Sequence, residues 1–101
     1  MNLNIQSAVE GDLGKLGVEG EVDVSNADSL REGIAGLLED EQVKTIEVDL
    51  GEVPYIDSTG IGVLVGAAHR ADEAGKALRV VRAQDNVSRI FGMLGVDEII
   101  G

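Results

Sequence analysis

Thr45-Ile46-Glu47-Val48-Asp49-Leu50, Gly51-Glu52-Val53-Pro54-Tyr55 and Ile56-Asp57-Ser58-Thr59-Gly60-Ile61-Gly62-Val63-Leu64 follow one another without a break and change period once. In the first block apolar and polar residues alternate, the pattern of a strand with one buried face. The second block holds the only proline and reads as a connecting loop. In the third, Ile61, Leu64, Val65 and Ala68 follow helical spacing to a stop near Gly75. A strand therefore feeds a loop, and the loop feeds a helix that opens on Asp57-Ser58.

Working outward, the same two periods account for the rest of the chain. Leu3 and Ile5 alternate with Asn2, Asn4 and Gln6 in a first strand, which turns at Glu10-Gly11-Asp12. Leu16, Val18 and Val22 alternate with Lys15, Glu19 and Glu21 in a second strand, expected to be the hairpin partner of the first. Ser25-Asn26-Ala27-Asp28 signals a helix start with a hydroxyl cap and an acidic residue three positions on. Ala27, Leu30, Ile34, Leu37 and Leu38 form its stripe, up to Glu39-Asp40-Glu41. Leu78 and Val80 mark a fourth strand. Asp85 or Asn86 is expected to cap a last helix with Val87, Ile90, Phe91 and Leu94, closed by Gly95. The order β-β-α-β-α-β-α gives an α/β fold: one small domain over residues 1–101 with a mixed four-stranded sheet. Right-handed crossovers that step one way along a sheet put the helices mainly on one face. Strands that alternate, rather than run apolar throughout, fit a sheet whose other face is wet.

Composition narrows the function. The chain has 101 residues, 44% of them hydrophobic but only 2% aromatic, so its core is aliphatic, with Tyr55 and Phe91 as the only rings. Without cysteine there is no disulfide, thiolate metal site or Cys nucleophile. Met1 to Ser7 show neither a basic region nor an apolar run, and no stretch approaches a membrane span, so a cytoplasmic protein with no membrane association is expected. A net charge of −11 opposes nucleic acid, whose binding relies on Lys and Arg. The acidity either keeps the domain soluble or suits it to a protein partner with a basic surface. A monomer is the expectation from size.

The glycines Gly60, Gly62 and Gly66 invite two nucleotide readings, and both fail. Gly60-Ile61-Gly62-Val63-Leu64-Val65-Gly66 is one residue too long for a dinucleotide fingerprint and lies too late in the chain. Gly75-Lys76 is followed by Ala77, which breaks a phosphate-binding loop. Helical glycines cost up to about 1 kcal/mol each relative to alanine, so such a helix needs a bare surface for close packing or for another protein. Ser58 as a nucleophile lacks a base, since His69, the only histidine, lies about 16 Å along the same helix. Asp57 and Ser58 are both of the types favoured at an N-cap, and on local grounds Ser58 reads as a helix cap.

Gly20-Glu21-Val22-Asp23-Val24, Val48-Asp49-Leu50, Ile56 to Leu64 and the closing Phe91-Gly92-Met93-Leu94-Gly95-Val96 together resemble the STAS domain family, and within it the stand-alone bacterial anti-sigma-factor antagonists. That resemblance covers essentially the whole chain. It implies a non-enzymatic switch, without catalytic residues, metal or cofactor, in which an anti-sigma factor that is itself a serine kinase phosphorylates Ser58. Thr59, a second hydroxyl where serine is often found, is the second choice. Asp23 is implied as an acidic neighbour of the acceptor. The partner-binding surface is expected to comprise Asp23, Asp57, Ser58, Thr59, Gly60, Gly62, Val63 and Gly66, with Gly62, Val63 and Gly66 on an exposed flank. Unphosphorylated protein would bind the kinase and free a sigma factor, and a phosphatase acting on phospho-Ser58 would reset the cycle. The alternatives are a STAS module of a transport or signalling assembly that is never phosphorylated, and a domain binding a nucleotide or small ligand.

Overall fold

The computed structural model describes residues 3–99. Strands β1 (Asn4–Glu10), β2 (Leu13–Glu19), β3 (Thr45–Glu52) and β4 (Ala77–Val81) alternate with helices α1 (Ala27–Glu39), α2 (Ser58–Glu73) and α3 (Asp85–Met93), and a short 3-10 turn follows at Asp97–Ile99. The sheet order is β1-β2-β3-β4, with β1 antiparallel to β2 and the other two pairings parallel. This is the fold expected from the two periods. Asn2, assigned to the first strand, lies outside the described residues.

Register decides which face is buried. Gly14, Ile46 and Leu78 are cross-strand partners, as are Leu16, Val48 and Val80, and all six are buried. The alternate row, Lys15, Glu47 and Arg79, points to the open face. There Lys15 pairs with Glu10 at 3.0 Å, Arg79 pairs with Glu47, and Arg82 pairs with Asp49 at 3.2 Å. Leu30, Ile34 and Leu37 of α1 and Ile61, Leu64 and Ala67 of α2 join the sheet's apolar side in one core. Phe91, the one buried ring, extends that core under α3.

The element ends differ from expectation where backbone conformation competes with side-chain pattern. β2 stops at Glu19 rather than running to Val22, because its register shifts between Gly17 and Glu19 and Gly20 takes φ 117. β3 continues through Gly51 and Glu52, two residues into the expected loop. The residue before α1 is Asn26, not Ser25, whose hydroxyl instead donates to Asp23 Oδ1. α3 is preceded by Gln84, and neither Asp85 nor Asn86 caps it. Leu94, expected in its apolar stripe, is the exposed C-cap. Both α2 and α3 end in paired 6→1 and 5→2 bonds around Gly75 and Gly95, at φ 75 and φ 71.

Candidate functional site

The end of β3 delivers the site. Val53 and Ile56 are fully buried, while Pro54 and Tyr55 between them face solvent. Ile56 forms a parallel bridge with Val22. Two backbone bonds fix that junction: Val22 N donates to Tyr55 O at 3.0 Å, and Asp57 N donates to Val22 O at 3.0 Å. The residues after Val22 and Asp57, namely Asp23 and Ser58, thus issue from one pinned point beyond the ends of the central strands β2 and β3.

Asp57 is the N-cap of α2. Its backbone is extended (φ −91, ψ 179), and its Oδ1 accepts from Gly60 N at 3.0 Å. Ile61 N donates to Asp57 O at 3.0 Å, closing the first turn. The sequence left Ser58 as the cap, and the structure gives that role to its neighbour. Ser58 and Thr59 are the first two helical residues, both exposed. Their hydroxyls make no hydrogen bond among the described residues. The Ser58 hydroxyl is thus accessible and unused.

Asp23 stands half-buried beside this turn. The Ser25 hydroxyl donates to its Oδ1 at 2.5 Å and Ser25 N at 2.9 Å, and these bonds hold its carboxyl below the ordinary carboxylate range. Asn26 braces the same turn, accepting from Asp23 N at 2.9 Å and donating to Glu21 O at 2.9 Å. Among the described residues, no ion pair engages Asp23 or Asp57. A helix start attracts anions through its dipole, and here the Asp57 carboxylate already occupies that end. His69 is exposed far along α2.

The glycines divide into two kinds. A Cβ at Gly60 would lie 2.6 Å from Val22 Cγ1 and 2.7 Å from Ile56 Cγ1, so Gly60 is buried where it lets α2 settle on the bridge. A Cβ at Gly62 or Gly66 would meet nothing within 4 Å. At 3.6 residues per turn, Ser58, Gly62, Gly66 and His69 fall along one side of α2, opposite the core. Val63 does not belong to that flank: it is only 6% exposed and packs in the core. The exposed part of the expected surface is therefore Ser58, Thr59 and Gly62, with the half-buried Asp57 and Asp23; Gly66 is half-buried one turn on. Sequence reasoning missed Asn86 and Gln84, whose amides reach the carbonyls of Pro54 and Gly51. Asn86 was expected only as a cap and Gln84 carried no expectation, and nothing local announces a contact 32 or 33 residues away.

Comparison with known proteins gives concordant results. The STAS domain model matches residues 4–101. The anti-sigma-B factor antagonist of Staphylococcus aureus (strain NCTC 8325 / PS 47) is 31% identical over 100 residues, covering 99% of this chain and 92% of that protein. Among solved structures, the anti-sigma factor antagonist SpoIIAA in its unphosphorylated form superposes with a TM-score of 0.81 at 17% identity, over 98% of this chain and 85% of that one. The Bacillus cell fate determinant SpoIIAA in the phosphorylated form gives 0.74 at 16% identity, over 98% and 88%. At those identities the two structures establish a shared fold. No helix among the described residues is long and apolar enough to cross a membrane.

Proposed function

The chain belongs to the STAS domain family, and from that premise we propose that it is a cytoplasmic anti-sigma-factor antagonist switched by phosphorylation of Ser58. The observation that carries this reading is the division of labour at the start of α2. Asp57 already caps the helix, so the exposed Ser58 hydroxyl has no structural task and is free for another protein's active site. Anti-sigma-factor antagonists are non-enzymatic regulators, and the chemistry here belongs to the partner. A serine kinase would transfer the γ-phosphoryl of ATP to Ser58 Oγ, with ADP leaving and the hydroxyl proton passing to the kinase's own base.

The product would carry about −1.5 to −2 charges beside Asp23 and Asp57. Free N–H groups of the first turn can receive it, which leaves the fold in place. A docked partner would have to desolvate the new charge. A penalty of about 2–3 kcal/mol corresponds to roughly 30–150-fold weaker binding. In this cycle the unphosphorylated chain binds an anti-sigma factor kinase and frees a sigma factor; phosphorylation ends that binding, and a phosphatase restores it.

The test uses the anti-sigma factor kinase that co-purifies with the chain. Incubation with ATP should add one phosphate, mapped by mass spectrometry to Ser58, and Ser58→Ala should bind constitutively while Ser58→Asp binds poorly. Label confined to Thr59 would move the acceptor by one residue. Equal affinity of the two variants, or no phosphate at all, would leave an interaction module without a switch.

A further inference from the structure

The segment that presents Ser58 is held from two sides, and only one of them is backbone. On the first side lies the Val22 junction, with its bonds to Tyr55 O and Asp57 N. On the other, two side chains at the start of α3 reach across: Asn86 Nδ2 donates to Pro54 O at 2.6 Å, and Gln84 Nε2 donates to Gly51 O at 3.1 Å. Gln84, at the N-cap position, makes no side-chain cap bond. α3 is in turn a firm support, because Val87 and Phe91 are fully buried.

The bond to Pro54 is not required for polar satisfaction. Pro54 is exposed, and water could serve its carbonyl equally well. What the Asn86 amide adds is location. It fixes an exposed turn whose proline has no N–H with which to anchor itself, four residues before the acceptor. We propose that Asn86, assisted by Gln84, is a positioning residue for Ser58: it holds the Val53–Asp57 segment in the single arrangement that a kinase must engage. The inference rests on the phosphorylation reading above. When the bond is lost, the turn spreads over several arrangements, and apparent affinity falls by the fraction that remains competent. Once bound, Ser58 meets the same kinase groups, so the chemical step is unchanged.

Three variants separate positioning from mere stability. Asn86→Ala removes the donor. Asn86→Asp also removes it, yet keeps the shape and adds a negative charge at a helix start, where the dipole favours it. Asn86→Gln keeps an amide donor on a longer stem. The loss of one exposed hydrogen bond should raise KM for phosphorylation between about two- and tenfold. That rise is expected in both Ala and Asp variants, with kcat within twofold of wild type and with recovery in Gln. Amide hydrogen exchange at Tyr55 to Thr59 should accelerate by a similar factor in the same two variants. An Asp variant with wild-type KM would overturn the proposal, whatever the Ala variant does. So would unchanged exchange at Tyr55 to Thr59 alongside normal phosphorylation of the wild type. If the wild type itself takes no phosphate, the proposal falls together with the reading it rests on; unchanged exchange removes the positioning role alone.

Discussion

Alanine at Gly60 and alanine at Gly62 should move stability in opposite directions, although the two residues lie within one turn of the same helix. At Gly60 the new methyl would sit 2.6 Å from Val22 Cγ1 and 2.7 Å from Ile56 Cγ1. Carbon atoms prefer separations of about 3.5–4.0 Å, so the overlap is roughly 1 Å on two partners. Neither partner can step aside. Both are fully buried, and the backbone of each is tied into the junction that joins β2 to the start of α2. Overpacking of this kind costs about 1–3 kcal/mol, against a propensity gain of at most about 1 kcal/mol. With a cost in the middle of that range and a gain of about 0.5–1 kcal/mol, the net expectation is a loss of about 1–1.5 kcal/mol.

At Gly62 nothing lies within 4 Å of the added methyl, so only the propensity gain of about 0.5–1 kcal/mol remains. Urea unfolding measures both. With a slope near 1 kcal/mol/M, as for a domain of this size, the two midpoints should separate by about 2 M on opposite sides of wild type. A Gly60→Ala protein as stable as wild type would refute the packing argument. If Gly62→Ala gains stability yet loses kinase binding, that glycine is bare for the partner's sake.

Asp57→Ala should cost about 1 kcal/mol as the Gly60 amide loses its cap, whereas Ser58→Ala should stay within about 0.5 kcal/mol of wild type; chemical denaturation of both separates cap from acceptor. Lys76→Met should cost about 1–2 kcal/mol, because Lys76 Nζ donates to Leu38 O at 2.8 Å and Asp40 O at 2.7 Å and so closes α1, whose last turn has no basic residue of its own; the loss should appear as a lower thermal midpoint. The depressed pKa of Asp23 makes its contribution present above its unfolded value near 3.8 and lost as pH falls through the lower folded value. In Ser25→Ala the Asp23 carboxyl should titrate closer to that ordinary value, read from its side-chain carbon chemical shift.

The fold was legible because the two periods are clean where packing is one-sided. Ile46, Val48 and Leu50 are all fully buried, and so are Leu30 and Ile34 of α1. α2 was harder, since it touches α1 as well as β4 and buries a broad arc. Its buried residues are Gly60, Ile61, Val63, Leu64, Ala67 and Ala71. The stripe Ile61, Leu64, Val65 and Ala68 is rotated roughly 70° from the centre of that arc, at about 100° per residue. The exposed Gly62, the half-buried Gly66 and three alanines give little contrast in hydrophobicity from which to place the stripe. That rotation is why Val63 was expected on the partner-facing flank. The caps failed for a different reason. Asp23, Ser25 and Asn26 all carry oxygens that can serve the same turn, and the backbone path, rather than residue type, allots the bonds.

The allotment at Asp57 bears most on function. Had Ser58 been the cap, phosphorylation would have removed a helix-capping group, and its effect on a partner could not have been separated from an effect on the fold. With Asp57 accepting from Gly60 N and the Asp57 carbonyl accepting from Ile61 N, the first turn is closed without Ser58. A phosphate on Ser58 would therefore have two local consequences of opposite sign: attraction to the helix start and repulsion from Asp57 and Asp23. Because these oppose one another, folding stability is a poor reporter of the modification, whereas a partner docked over the Ser58 and Gly62 side of α2 feels the new charge directly. On the function proposed above, a switch built this way would act through its interface, and the tether from Asn86 to Pro54 would set where that interface is presented.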